Sequence, residues 1–138
     1  MGKLILLVDD DRLPMQFYIK ALQLKGYEVK HCLDTDSALD FVKEKKEQIH
    51  AIILDIMMLP GNVYKDEDTN EGLRTGVFLF GDIRKHCPKV PIVVLTNVKN
   101  PKTLVEFKDK AFIEVLQKID YTPFELVRLI DKMLKDVH

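Results

Sequence analysis

The chain has 138 residues, of which 46% are hydrophobic and 31% charged, and its formal net charge is −1. That length suits one domain and is short for two, and a near-neutral balance gives no bulk attraction to nucleic acid or to an anionic membrane. No apolar run approaches the roughly 20 residues that cross a bilayer, and the N-terminus lacks a signal-peptide pattern, so the expectation is a soluble, cytoplasmic domain.

KLILLV (Lys3–Val8) is a short apolar run of the kind found in a strand buried on both faces. Helical spacing follows, with Met15, Tyr18, Ile19 and Leu22 on one face and Gly26 as a stop. YEVKHC (Tyr27–Cys32) alternates, as a strand nearer a sheet edge does. Thr35 or Asp36 is placed to cap a second helix carrying Ala38, Leu39 and Val42. AIILDI (Ala51–Ile56) is another fully buried strand. A helix is predicted from about Leu73 to His86, with Val77, Phe80, Ile83 and Arg84 at 3–4 spacing. PIVVLT (Pro91–Thr96) is a third buried strand, rich in β-branched residues. A short helix over Thr103–Lys110 and a strand FIEVLQK (Phe112–Lys118) come next. The last helix has the clearest signals: Thr122 and Glu125 match a capping box, Pro123 takes the first helical position, and Leu126, Leu129, Ile130, Met133 and Leu134 form one stripe.

Strand and helix alternating five times predict a doubly wound parallel sheet with helices on both faces and right-handed crossovers. There is no repeat or interdomain linker, so residues 1–138 read as one domain. The irregular stretch LPGNVYKDEDTNEG (Leu59–Gly72) is polar and acidic, an insertion within that domain. Cys32 and Cys87 lack CxxC or His spacing and read as packed or half-exposed free thiols. His31, His50, His86 and His138 show no metal-ligand spacing and read as surface residues.

In a doubly wound sheet, ligands bind outside the carboxyl ends of the strands where strand order reverses. The first strand ends in Asp9-Asp10-Asp11, the third in Asp55, the fourth in Thr96-Asn97 and the fifth in Lys118. If the first and third strands are neighbours, Asp9, Asp10 and Asp55 converge, while Asp11 caps the first helix or is solvated. Clustered carboxylates raise one another's pKa unless a cation neutralises them. Mg²⁺ suits one or two carboxylates plus water and phosphate oxygens. An aspartate can itself be the nucleophile that takes a phosphoryl group, with a lysine and a hydroxyl meeting the charged oxygens.

The ordered motifs LLVDDD, IILDIMMLPG, TGVFLFGDIRK, PIVVLTN and VLQK resemble the receiver domains of two-component response regulators, over about residues 3 to 136. The resemblance implies a flavodoxin-like (βα)5 fold with strand order 2-1-3-4-5. It implies Mg²⁺ or Mn²⁺ held by Asp9, Asp10, Asp55 and the Met57 carbonyl. It assigns Asp55 as the phosphoacceptor, Thr96 as the hydroxyl that bonds the phosphoryl group and Lys118 as its ionic partner. It also implies a phosphorelay role rather than an enzyme's turnover. The phosphoryl group would come from a sensor histidine kinase or a histidine phosphotransfer protein. Output would pass by docking of a downstream protein on the face of the fourth helix, fifth strand and fifth helix, or on the 59–72 loop. The expected state is a monomer or weak homodimer, with no nucleic-acid or membrane partner.

Four departures accompany the resemblance. The loop after Asp55 is longer than usual, and its acidic run KDEDTNE reads as a solvated excursion or a partner-docking loop. Asn97 stands where a small residue is usual. Ile119 replaces the proline after the lysine, where a cis bond costs ~3 kcal/mol more than trans, and placing TPFEL on that segment instead would put Thr122 at the lysine position. Val115 stands at the aromatic switch position. Met57 and Val98 flank the path of an attacking water without a group to orient it, which predicts slow self-dephosphorylation. Two alternatives remain: a degenerate receiver that binds protein without being phosphorylated, and a haloacid-dehalogenase-type phosphatase using Asp9 with Asp11 and the VVLTN threonine.

Overall fold

Short β-branched and leucine-rich runs, each followed by a helix, leave the strands no choice but parallel pairing through crossover connections. The structure, a computed structural model, describes residues 2–108 and 110–137. The strands are β1 (Leu4–Val8), β2 (Glu28–Cys32), β3 (Ile49–Leu54), β4 (Ile92–Thr96) and β5 (Ile113–Gln117). They form one parallel sheet in the order β2-β1-β3-β4-β5, the flavodoxin-like topology. The helices are α1 (Arg12–Leu24), α2 (Thr35–Lys45), α3 (Thr75–His86), α4 (Pro101–Leu104) and α5 (Pro123–Val137).

Side chains alternate across each strand and so supply two cores. Ile5, Leu7, Ala51, Ile53, Val93 and Leu95 pack with Met15, Leu22, Leu126 and Ile130 of α1 and α5. Leu6, Val8, Ile52, Leu54, Ile92 and Val94 face α2, α3 and Phe107. Burial on both faces is why β1, β3 and β4 read as unbroken apolar runs. β2 and β5 are the edges, and their patterns alternate. The capping box holds: Thr122 N–H donates to Glu125 Oε1 (3.0 Å) and Glu125 N–H to Thr122 Oγ1 (3.2 Å).

Several boundaries differ from expectation. The cap of α2 is Asp34, whose carboxylate accepts from the Ser37 N–H at 2.7 Å; Thr35 and Asp36 are turned to other partners. β3 starts at Ile49 and ends before Asp55, so that residue lies just past the strand. α3 begins at Thr75 rather than Leu73, because Arg74 is its N-cap with a non-helical backbone (φ −121°, ψ 12°); just before it, Asn70, Glu71 and Gly72 have left-handed backbones (φ 53°, 57° and 92°). The fourth helix starts earlier and is shorter: Pro101 and the Asn100 cap open it, and after Leu104 it tightens into a 3-10 turn, Val105–Phe107. That turn carries Phe107 into the core, edge-on to Phe80 with centroids 5.3 Å apart. Of the expected Thr103–Lys110 span, Asp109 lies outside the described residues. Phe112 (φ 59°) is excluded from β5 by its backbone, and Lys118 begins a second 3-10 turn, Lys118–Asp120.

The histidines are less solvated than expected. His31, His50 and His86 are half-buried, His50 Nδ1 accepts from the Leu4 N–H at 3.0 Å, and His31 Nε2 lies 2.8 Å from the Asp9 carbonyl. His138 lies outside the described residues. Both cysteines are buried free thiols. No helix among the described residues is long and apolar enough to cross a membrane.

Candidate functional site

Pairing β1 beside β3 brings their carboxyl ends together, with Val8 opposite Leu54. Each strand runs directly into its aspartate, so Asp9 and Asp55 meet at the switch point of the sheet. Both are buried, at 1% and 5% exposure, while Asp10 sits exposed on the rim. Asp9, Asp10 and Asp55 each offer a carboxylate oxygen, and these oxygens lie within 4.8 Å of one another. Asp10 and Asp55 open into a cavity of about 330 Å³ whose walls include Asp11, Met57, Leu59, Glu71, Asn97 and Lys118.

Lys118 reaches in from the end of β5. Its Nζ is 2.8 Å from Asp9 Oδ2 and 3.4 Å from Asp55 Oδ2. Thr122 caps α5 and makes no contact of this kind, so the alignment that would substitute it for the lysine is not followed. Desolvation works to lower the pKa of the Lys118 ammonium, but Asp55 and Asp9 outweigh it and the net shift is upward. Burial pushes the Asp55 carboxyl up to about 6, and the Asp9 charge adds to this; Lys118, the Thr96 hydroxyl and the Met57 N–H act against it. The Ile56 N–H also donates to Asp55 Oδ1 at 2.8 Å. Partial desolvation, then the Asp9 charge, raises the Asp10 carboxyl.

Thr96 ends β4 fully buried, and its Oγ accepts from the Val98 N–H at 3.0 Å. With the oxygen so occupied, the hydroxyl proton is free to point at Asp55. Asp11 occupies the N-cap position of α1 without a side-chain cap bond. Its N–H instead donates to Asp9 Oδ1 at 2.8 Å, and the residue is exposed at the edge of the cavity, the solvated alternative to a cap. Asn97 lies on the same wall, Ile119 is exposed, and Val115 packs half-buried against the α2–α3 core.

Four supporting residues carried no sequence signal of this role. Gly76 opens α3 so close to the site that an added Cβ would lie 2.5 Å from both the Asp55 carbonyl oxygen and Ile56 Cα, and its N–H donates to the Ile56 carbonyl at 2.7 Å. His31 backs Asp9 from the neighbouring strand. Gln117 donates to the Val98 carbonyl at 2.8 Å and so holds the segment after Thr96. Thr75, wholly buried, donates to the Met58 carbonyl. Each acts through a long-range contact that only the fold creates.

The Leu59–Gly72 segment is less solvated than its composition implies. Asp36 accepts from the Asn62 and Val63 N–H groups, both at 3.0 Å, and Thr35 donates to the Pro60 carbonyl at 3.0 Å. Tyr64 is buried, stacks obliquely near Phe78, and donates to Asp82 at 2.5 Å. Residues Lys65–Asp68, Asn70 and Glu71 remain exposed. The far end closes back on the site: Met58 N–H donates to the Gly72 carbonyl at 3.0 Å.

A family model for the response regulator receiver domain matches residues 5–133. Among solved structures, a CheY-like response regulator receiver domain protein from Methanospirillum hungatei JF-1 is similar at 22% identity and TM-score 0.77, covering 99% of this chain and 97% of that one. A receiver domain protein from Clostridium thermocellum is similar at 21% identity and TM-score 0.76, covering 99% and 96%. The chemotaxis protein CheY4 of Vibrio cholerae is similar at 24% identity and TM-score 0.72, covering 96% and 99%. No curated protein sequence matches the chain. With its sheet order, its acidic cluster and this match, the chain belongs to the response regulator receiver family.

Proposed function

We propose that this receiver domain, a single unit over the chain, accepts a phosphoryl group on Asp55 in a phosphorelay. The observation that carries the reading is the pairing of a buried Asp55 with the Lys118 ammonium, in a cavity shared with Asp10 and with the buried Asp9 carboxylate close by. The buried Asp55 carboxylate attacks phosphorus as the donor's P–N bond breaks and the histidine imidazole leaves with the electron pair, and Lys118 and the Thr96 hydroxyl meet the charge on the transferred group. The donor is the phosphohistidine of a sensor kinase or phosphotransfer protein. Output passes by docking of a downstream protein on the α4–β5–α5 face or the 59–72 loop, in the cytoplasm.

The donor set fits a hard divalent cation. Three carboxylates carry more negative charge than Lys118 alone offsets, and their oxygens are close enough to share one ion. Asp9, Asp10, Asp55 and the Met57 carbonyl would hold Mg²⁺ or Mn²⁺, which supplies charge neutralisation for the incoming phosphoryl oxygens. The protein's own part is to hold Asp55 dry and to aim it: Gly76 lets α3 seat against its backbone, and the Ile56 N–H fixes Oδ1. Met57 and Val98 bring no group that orients a hydrolytic water, so the phosphorylated form loses its label slowly.

Incubation with Mg²⁺ and acetyl phosphate, followed by intact-mass measurement, tests the assignment. Wild type gains one phosphoryl mass and Asp55→Asn gains none. Equal labelling of Asp55→Asn, or turnover abolished by Asp9→Asn in the Asp55→Asn background, would instead indicate a phosphatase. A protein that takes no label under any donor would be a degenerate binding module.

A further inference from the structure

The cavity over Asp55 has one wall that the sheet does not supply. Glu71, from the end of the Leu59–Gly72 insertion, lies on that wall with Leu59 and Gly72. Its place is set by backbone, not by chance packing. Asn70, Glu71 and Gly72 take left-handed conformations in succession. The Gly72 N–H donates to Thr69 Oγ1 at 3.3 Å, and Gly72 sits so close to the Met58 carbonyl that a Cβ there would approach within 2.7 Å.

The charges around the cavity can be matched one against another. Asp9, Asp10 and Asp55 would be balanced by Lys118 and one divalent ion together. Two carboxylates on the wall are then left over, Asp11 and Glu71, and the lining residues contain no cation besides Lys118. A phosphodonor that enters this cavity toward Asp55 comes close to these two charges.

We propose that Glu71 is a specificity-determining residue: its carboxylate on the cavity wall selects phosphodonors by charge, disfavouring dianionic donors and favouring those that bring positive charge beside the phosphorus. The inference rests on the reading of Asp55 as phosphoacceptor. With acetyl phosphate, a dianion, the Asp55 oxygen bonds to phosphorus as the P–O bond breaks and acetate leaves with the electron pair. With phosphoramidate, whose nitrogen carries the extra proton, the P–N bond breaks and ammonia leaves neutral. Both routes give the same aspartyl phosphate, but the first donor enters with one more negative charge. A protein donor suited to this wall presents its phosphohistidine among basic side chains.

The test measures second-order phosphorylation rates of the full chain in Mg²⁺, with acetyl phosphate and with phosphoramidate, for wild type, Glu71→Gln, Glu71→Lys and Glu67→Gln. Glu67 is exposed on the same loop but off the cavity wall. Glu71→Gln is expected to raise the acetyl phosphate rate about three- to tenfold, within the range of one charge interaction across partly screened solvent. The phosphoramidate rate should rise about half as much on a logarithmic scale, and Glu71→Lys should extend both trends. The gains should collapse near 1 M salt, where the Debye length is about 3 Å. Equal factors for both donors, gains that persist in high salt, or the same gain in Glu67→Gln would overturn the proposal. If Asp55-dependent labelling is intact and Glu71→Gln changes nothing, only this inference fails. If wild type takes no label from either donor, or Asp55→Asn labels normally, the phosphoacceptor assignment fails and this inference with it.

Discussion

Replacing Asp55 with asparagine should stabilise the metal-free protein. Burial raises the Asp55 carboxyl from 3.8 to about 6 in the folded state, even with Lys118 and the Thr96 and Met57 hydrogen-bond donors acting against it. In the unfolded chain the group keeps its ordinary value. Below about pH 4 the carboxyl is protonated in both states and contributes no penalty. Between about pH 4 and 6 the unfolded chain releases the proton while the folded one holds it, so stability falls as pH rises; above about 6 the full penalty stays. A displacement of about two pH units at ~1.4 kcal/mol each gives roughly 3 kcal/mol. Asparagine keeps the shape and the acceptor for the Ile56 N–H while remaining neutral. In EDTA at pH 7.5, Asp55→Asn should therefore be more stable than wild type by ~1–3 kcal/mol, or up to about 10 °C in Tm. At pH 4 the two should melt together, and Mg²⁺ at pH 7.5 should narrow the gap by favouring the charged wild type. The chain has no tryptophan, so urea and thermal melts followed by far-UV circular dichroism are the suitable assay. A variant less stable than wild type at pH 7.5 in EDTA, or a gap independent of pH, would refute the reasoning.

Gly76→Ala should cost ~1–3 kcal/mol in urea melts and slow phosphorylation of Asp55, because the new Cβ meets backbone atoms that cannot turn aside. Arg84→Ala should cost ~2–4 kcal/mol: the guanidinium donates to the Cys87, Val90, Ala111 and Phe112 carbonyls, and several would be left unpaired. Arg84→Lys, with a point charge in place of the planar fork, should recover less than half of that loss in the same melts. Thr122→Ala should remove one side of the α5 capping box and lower stability by ~0.5–2 kcal/mol without changing the phosphorylation rate.

What the sequence could and could not disclose follows from the range of the interactions involved. Apolar periodicity and caps are local, so the five strands, the face of α1 and the capping box of α5 were legible. The strand-end aspartates were legible too, because in a parallel sheet whatever follows a central apolar run must emerge at the binding edge. Boundaries failed where a distant partner decided them. Asp34 rather than Thr35 caps α2 because Thr35 and Asp36 are engaged by the insertion. Phe107 shortens the fourth helix because a core position against Phe80 outweighs the local helical pattern. His31 looked like a surface residue because nothing near it in sequence reveals that it lies beneath the Asp9 carbonyl.

The insertion itself shows why polar composition is a poor guide to freedom of movement. Its side-chain anchors include Thr35 and Asp36 at the start of α2 and Asp82 on α3, and just beyond it the Arg74–Glu106 ion pair ties the foot of α3 to the turn after α4. All of them lie on the α2–α3–α4 side of the sheet, and none is on α1 or α5. The acidic residues Asp66, Glu67 and Asp68 stay in solvent because the neighbouring Tyr64 and Thr69 are buried and take up the tether. A partner that approaches Asp55 meets the Leu59, Glu71 and Gly72 edge of the insertion, whereas one seated along α2 meets Asn62 and Val63. Substitutions in the loop can therefore separate the two approaches: charge changes at Glu71 should alter phosphoryl transfer, and changes at Val63 should leave it unchanged.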